Sequence, residues 1–265
     1  MALRILFPIL SIDFYMNQTP EKWLLIDNSN TRTKFMFAVD GILKGEVQII
    51  PTVELSVDSI TAIAEGHVIS GVVVCSVVPN CADVLRDSFH CPVHFISSTS
   101  PSCLKYDYDG TMTLGADRIA NAVAVAEMFD TTSVAIDAGT ATTFDVVVNQ
   151  CGRKVYVGGV IAPGYAAFRN YMHQCTAQLP PIQSNIEANP IGKNTVQAMQ
   201  AGALYGFCGM VRGVISAIER ELGYAPKIVL TGGDASLLKN MGNIPGEQVD
   251  NLTFVGLLHV AQHLS

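Results

Sequence analysis

The chain has 265 residues, 49% hydrophobic and only 15% charged, so it holds enough apolar material for a packed core and too little charge for a disordered polymer. Sixteen Lys and Arg against 23 Asp and Glu give a net charge of −7 with no basic cluster, which excludes the electrostatic footprint of a nucleic-acid binder. Seven cysteines at 75, 81, 91, 103, 151, 175 and 208 form no CxxC pair, excluding a zinc knuckle and a disulfide framework and pointing to free thiols in a reducing, cytoplasmic setting.

The opening MALRILFPILSI has the apolar look of a secretory segment, but its Arg, its Pro and the missing A-x-A site argue against cleavage, and residues 1–21 read as a non-catalytic extension. Strand-like runs then follow in order: WLLID (23–27), GVVVCSVV (71–78), SVAIDAG (133–139), TTFDVVV (142–148) and KIVLTGG (227–233). Several are apolar throughout and end in Asp, Ser or Gly, the pattern of buried strands whose ends line a ligand cleft in an α/β sheet. Helical periodicity is best over 116–129 and 195–222, and the second predicts a long buried helix ending before Gly223. Within it Gly202, Gly206, Gly209 and Gly213 have the spacing of close packing against another helix. No apolar run approaches the ~20 residues of a membrane span, because Arg212 interrupts the stretch after Met199, so no membrane partner is expected.

A repeat appears at wide spacing. DNSNTRTKF (27–35) and DAGTATTFD (137–145) each follow an apolar strand, begin Asp-x-small and continue with polar, Thr-containing residues into a second strand. Two such strand–turn–strand units can turn backbone N–H groups and hydroxyls onto a phosphate chain from two sides, whereas a single copy would read as an ordinary polar hairpin. Other phosphate-binding solutions fail. The stretch before Gly192-Lys193-Asn194-Thr195 has Glu187 where a Walker loop needs glycine, no Gly-x-Gly-x-x-Gly follows a strand, and no Gly-x-Ser-x-Gly elbow is present. The His pairs at 90/94 and 259/263 lack a neighbouring acid or thiol at metal-ligand spacing and read as surface or capping residues.

Taken in order, LLIDNSNTRTK, LGADRIANAVA, IDAGTATTFDVV, GGVIAPG, GKNTVQAMQAGALYG and VLTGGDA resemble type III pantothenate kinase from about Trp23 to the C-terminus. The resemblance implies an α/β fold of two similar domains of the actin/sugar-kinase (ASKHA) superfamily, with the nucleotide in the cleft between them. We place the first domain at 22–114 and the second at 115–265. It also implies transfer of phosphate from ATP to pantothenate, the first step of coenzyme A synthesis, by a homodimer that uses Mg²⁺ and a monovalent cation, K⁺ or NH₄⁺. Two alternatives are a superfamily kinase with another small substrate and a catalytically silent regulatory homologue.

By the same resemblance, the first phosphate loop comprises Asp27, Asn28, Ser29, Asn30, Thr31, Arg32, Thr33 and Lys34, with Asp27 holding Mg²⁺ through water. Asp137 matches the monovalent-cation ligand, Thr140 an ATP contact, and Gly232 and Gly233 the adenine-side glycines. Gly115, Ala116, Asp117 and Arg118 match the pantothenate motif, Asp117 as general base and Arg118 as substrate contact, with Tyr108 and Thr195 as further substrate contacts. Read without the family, Asp117 is a carboxylate at a helix start, Arg118 a surface ion pair, Tyr108 a strand aromatic, Thr195 a cap and the glycine pair a plain turn. One departure stands out: Ser29 occupies the usual glycine of the first loop, and a positive φ there would cost on the order of 1 kcal/mol and crowd the phosphates.

Overall fold

The computed structural model of the chain describes residues 21–183 and 188–265, so the expected extension lies, but for Glu21, outside the described residues. β1 (Lys22–Asn28), β2 (Arg32–Val39) and β3 (Ile42–Pro51) form an antiparallel meander, after which α1 (Val57–Ala64) leads to β4 (Gly71–Ser76) and α2 (Ala82–Asp87) to β5 (Val93–Phe95). A short β6 (Lys105–Tyr106) and α3 (Ala116–Met128) precede a second meander of β7 (Ser133–Ala138), β8 (Ala141–Gln150) and β9 (Arg153–Pro163). Then come α4 (Tyr165–Cys175), α5 (Thr195–Leu222), β10 (Lys227–Thr231), α6 (Ala235–Asn240), β11 (Glu247–Gln248) and α7 (Leu252–Leu264).

The two sheets repeat one another. The first has the order β3-β2-β1-β4-β5 and the second β9-β8-β7-β10-β11, with β6 added outside β9. In each, the first three strands are antiparallel and the last two run parallel to the first. The apolar runs read as strands above are β1 and β4 of the first sheet and β10, β7 and β8 of the second, each with a strand on either side. On β1, Leu24 and Ile26 face a cluster with Ile60 and Leu85 of α1 and α2, while Leu25 faces the opposite way toward α3 and α7. On β7, Val134 and Ile136 pack with Leu204, Phe207 and Val211 of α5, while Ala135 joins the α3 and α7 side.

Helices α3 and α7 therefore form the middle layer between the sheets. A run of buried residues from Arg118 to Ala126 fits a helix covered all round. Their crossing is close: a Cβ on Gly256 would overlap the Ala120 carbonyl. One strand pairing, β6 with β9, joins residues on either side of 114/115, and helix α7 packs back on β1, β3 and β4.

Helix α5 corrects two expectations. Gly223, at φ 79°, ends it, as the sequence indicates, but the cap at its start is Asn194, accepting from Gln197 N (2.9 Å), rather than Thr195, which is the first helical residue. It is not buried all round: Leu204, Phe207 and Val211 face the core, whereas Tyr205, Gly209 and Gly213 are exposed. Nothing lies within 4 Å of the Cβ position of Gly202, Gly209 or Gly213, and only Gly206 meets a neighbour, Phe168 of α4. Apart from Gly206 against α4, the glycines of the stripe meet no other helix among the described residues. By length and composition α5 could also cross a membrane, which the break at Arg212 had argued against; its apolar side is instead part of the second core.

Candidate active site

The first hairpin closes β1 onto β2 so that Asp27 faces Lys34, with Nζ 3.5 Å from Oδ2. Burial pushes the Asp27 carboxyl up, the Lys34 charge draws it down, and the net shift is upward. Asn28 is turned inward: its Nδ2 donates to Thr33 Oγ1 (2.8 Å) and its Oδ1 accepts from Ser76 Oγ (2.6 Å). Asn30, Thr31 and Arg32 are exposed around the turn. Ser29 does not have a positive φ, which overturns the expected strain. Its N–H and its Oγ both donate to Arg32 O (3.1 and 2.9 Å), while its carbonyl accepts from Thr52 Oγ1 (2.7 Å). The serine side chain serves the turn itself and is spent there.

The second hairpin places Asp137 across from Thr143 and beside Thr231. No lysine faces it on the neighbouring strand. Asn121 of α3 donates Nδ2 to Asp137 Oδ2 (3.1 Å), and Thr253 of α7 donates to Asn121 Oδ1 (3.2 Å). Burial lifts the Asp137 carboxyl to about 6; the Asn121 bond opposes this and the charges of Asp117 and Asp27 add to it. Gly232, at φ 89°, leaves the other oxygen uncovered, since a Cβ there would overlap Asp137 Oδ1. Thr140 is exposed at the turn, and Gly164 N donates to its carbonyl (3.2 Å), closing the β9 end over the hairpin.

Between the hairpins, Gly115 opens α3 without a side chain, and a Cβ there would approach Asp117 Oδ1 to 2.6 Å. Asp117 sits in the first turn, where the helix dipole favours its charge, and accepts from the Arg118 N–H (2.8 Å). Arg118 is no surface ion pair. It is buried, with Nε on Asp145 Oδ1 (2.7 Å), an oxygen that also accepts from Tyr156 OH (3.0 Å). Burial pushes the Asp145 carboxyl up to about 7, while Asp145 holds the guanidinium charged. Arg118 Nη2 is buried with no partner, so the fork is held at one edge and unsatisfied at the other. Tyr108 stands edge-on to Tyr156, centroids 5.6 Å apart, and beside Gly158.

A cavity of ≈340 Å³ brings together Asp27, Lys34, Asp137, Gly232 and Gly233. Gly115 and Ala116 open on a second cavity of ≈580 Å³ rimmed by Ser97, Ser98 and Thr99. Thr195 lies in a third, largely apolar space of ≈700 Å³ between α4 and α5. Sequence reasoning missed Asp145, Tyr156, Asn121 and Thr253. Asp145 ended the second repeat and could have been found there; Asn121 and Thr253 are 132 positions apart and no local pattern joins them. Among the described residues no group of three or more His, Cys, Asp or Glu side chains could hold a metal by itself.

The fold, two sheets of one strand order on either side of α3 and α7, recurs in solved structures of low sequence identity. A Baf family protein from Campylobacter jejuni, described as a transcriptional activator, superposes with a TM-score of 0.59 at 19% identity, over 91% of this chain and 98% of that one. Component A of the (R)-2-hydroxyglutaryl-CoA dehydratase of Acidaminococcus fermentans gives 0.54 at 12%, over 92% and 100%. Sequence narrows the class. Residues 23–217 match the family model of type III pantothenate kinase. The type III pantothenate kinase of Akkermansia muciniphila is 44% identical over 82% of this chain and 88% of its own, and that of Methylacidiphilum infernorum 36% over 81% and 79%. The chain belongs to the type III pantothenate kinase family.

Proposed function

We propose that the protein transfers the γ-phosphoryl group of ATP to the primary hydroxyl of pantothenate, giving 4′-phosphopantothenate, the first step of coenzyme A biosynthesis. The observation that carries this is the placement of Asp117 and Arg118 at the start of α3, between two hairpins whose first strands each carry an aspartate at the next-to-last position. The halves are taken as two domains flanking the nucleotide, with the pyrophosphate between the 27–34 and 137–145 turns and the base beside Gly232 and Gly233.

Phosphoryl transfer through a loose transition state requires alignment and charge neutralisation more than covalent help. Asp27 fits a hydrated Mg²⁺, an ion that keeps most of its waters and is held by one or two carboxylates together with substrate phosphates. Asp137 fits a monovalent cation: it is a buried carboxylate with one oxygen bonded by Asn121, the other left open at Gly232 and no lysine facing it. When bound, the two cations supply positive charge to the phosphate chain. Lys34 adds the chain's own cation at the first turn. Asp117 accepts the hydroxyl proton of the acceptor, and Arg118, braced by Asp145 and Tyr156, orients the acceptor's polar groups with Tyr108 closing over them.

The reading includes a cytoplasmic homodimer in which a second copy covers the exposed face of α5 and brings Thr195 to the acceptor. Light scattering checks the stoichiometry. The chemical roles are checked by kinetics: Asp117→Asn keeps the shape and loses the proton acceptor, so kcat should fall ~10²–10⁴-fold with nucleotide affinity retained. Arg118→Ala should raise KM for pantothenate. Turnover by Asp117→Asn above about a tenth of wild type would return Asp117 to a helix-start residue.

A further inference from the structure

The α3/α7 crossing carries a polar chain whose direction is fixed by chemistry. Asp137 offers only acceptors, so Asn121 must turn its amide nitrogen toward Oδ2 (3.1 Å) and its oxygen away. That oxygen is buried, and the Thr253 hydroxyl answers it at 3.2 Å. Thr253 is held in place by the helix crossing itself, because Gly256, one turn further along α7, lets the two backbones meet at Ala120, the residue before Asn121. The chain thus runs from a helix packed on the first sheet to a strand of the second.

We infer that Asn121, oriented by Thr253, is a positioning residue for Asp137. It occupies one carboxylate oxygen and fixes the rotation of the group, so that the other oxygen is presented toward Gly232 and the cleft. The asymmetry is useful: a carboxylate free to rotate would share its charge between the core and the cleft, whereas this one is aimed. The inference rests on the reading of Asp137 as a cation ligand, and it adds the two residues that prepare that ligand from outside the cation's own coordination.

The test is thermal melting of the full chain with saturating MgADP, titrating KCl against tetramethylammonium chloride at constant ionic strength. Wild type should show a saturable rise in melting temperature specific to K⁺. Thr253→Val, which keeps the shape and removes the donor, should raise the half-saturating K⁺ about tenfold, as should Asn121→Ala, whereas Thr253→Ser should stay within about twofold. In an Asp137→Asn background, Thr253→Val should change the K⁺ response no further, because its effect passes through Asp137. A wild-type midpoint in Thr253→Val would overturn the inference. If wild type itself shows no K⁺ preference, the cation reading fails, and positioning is then judged by MgADP affinity from calorimetry: weaker binding in Thr253→Val restored in Thr253→Ser upholds it, and equal affinities overturn it.

Discussion

The two halves share one strand order and differ where the strands end. In the first half, Ser76 stands next to the residue beside Asp27 and bonds Asn28, which bonds Thr33, whose hydroxyl meets that of Thr52. Side chains fill the space and stitch the turn. In the second half the corresponding place, after Thr231, holds Gly232, whose missing side chain lets the backbone lie against Asp137 and Ala138 on the wall of the cavity. The carboxylates differ in the same sense: Asp27 has Lys34 at 3.5 Å, while Asp137 has an amide and no facing lysine. The repeat gives both halves a hairpin after a buried strand, and side-chain chemistry sets them apart: the first turn is stitched by Ser76, Asn28, Thr33 and Thr52, while the second carries glycine beside its aspartate.

The comparison breaks first at the aspartates. Asp27→Asn and Asp137→Asn should each lower kcat/KM for ATP on the order of 10²–10³-fold, the scale of losing one charge-stabilising group, yet only Asp137→Asn should abolish the difference between K⁺ and Na⁺. Steady-state kinetics in the two salts separates them, and loss of cation response in both would mean that one ion spans both carboxylates.

A second effect concerns stability. With the Asp137 carboxyl raised from 3.8 to about 6, the folded chain keeps a proton that the unfolded chain has lost across that interval, so this group's contribution falls as pH rises from about 4 to 6 and stays unfavourable above. Asp137→Asn should therefore stabilise the cation-free protein at pH 7, by up to ~3 kcal/mol, and lose that gain near pH 4. Denaturant melts at the two pH values measure it, and an equal gain at both would exclude a titration origin.

Smaller effects follow at the turns. Gly232→Ala meets both a left-handed backbone, ~1–2 kcal/mol, and an overlap with Asp137 Oδ1, so nucleotide binding should weaken about tenfold or more by calorimetry. Ser29→Gly should leave nucleotide affinity within about twofold and cost roughly 0.5–1 kcal/mol of stability, because the serine is unstrained and bonds Arg32 O. Tighter nucleotide binding in that variant would show that the serine obstructs the loop after all.

Much of this was legible because it is local. The buried strands announced themselves as WLLID, GVVVCSVV and SVAIDAG, the long helix by its period and its Gly223 end, and the two hairpins by their repeated Asp-x-small turns. What escaped was set by tertiary contact. β3 is largely exposed and carries no apolar alternation to mark it. Burial of Arg118 depends on Asp145 and Tyr156 two strands away, and the aim of Asp137 depends on the last helix returning to the first sheet. The strain expected at Ser29 came from residue type alone, and a side chain able to bond within its own turn removed it.

The most direct test of the central claim is a coupled assay of ADP release with ATP and Mg²⁺, run with and without pantothenate and in K⁺, NH₄⁺ or Na⁺. The account predicts turnover that requires pantothenate and is high in K⁺ or NH₄⁺ and low in Na⁺. ATP consumption indifferent to pantothenate, or equal rates in all three salts, would contradict it.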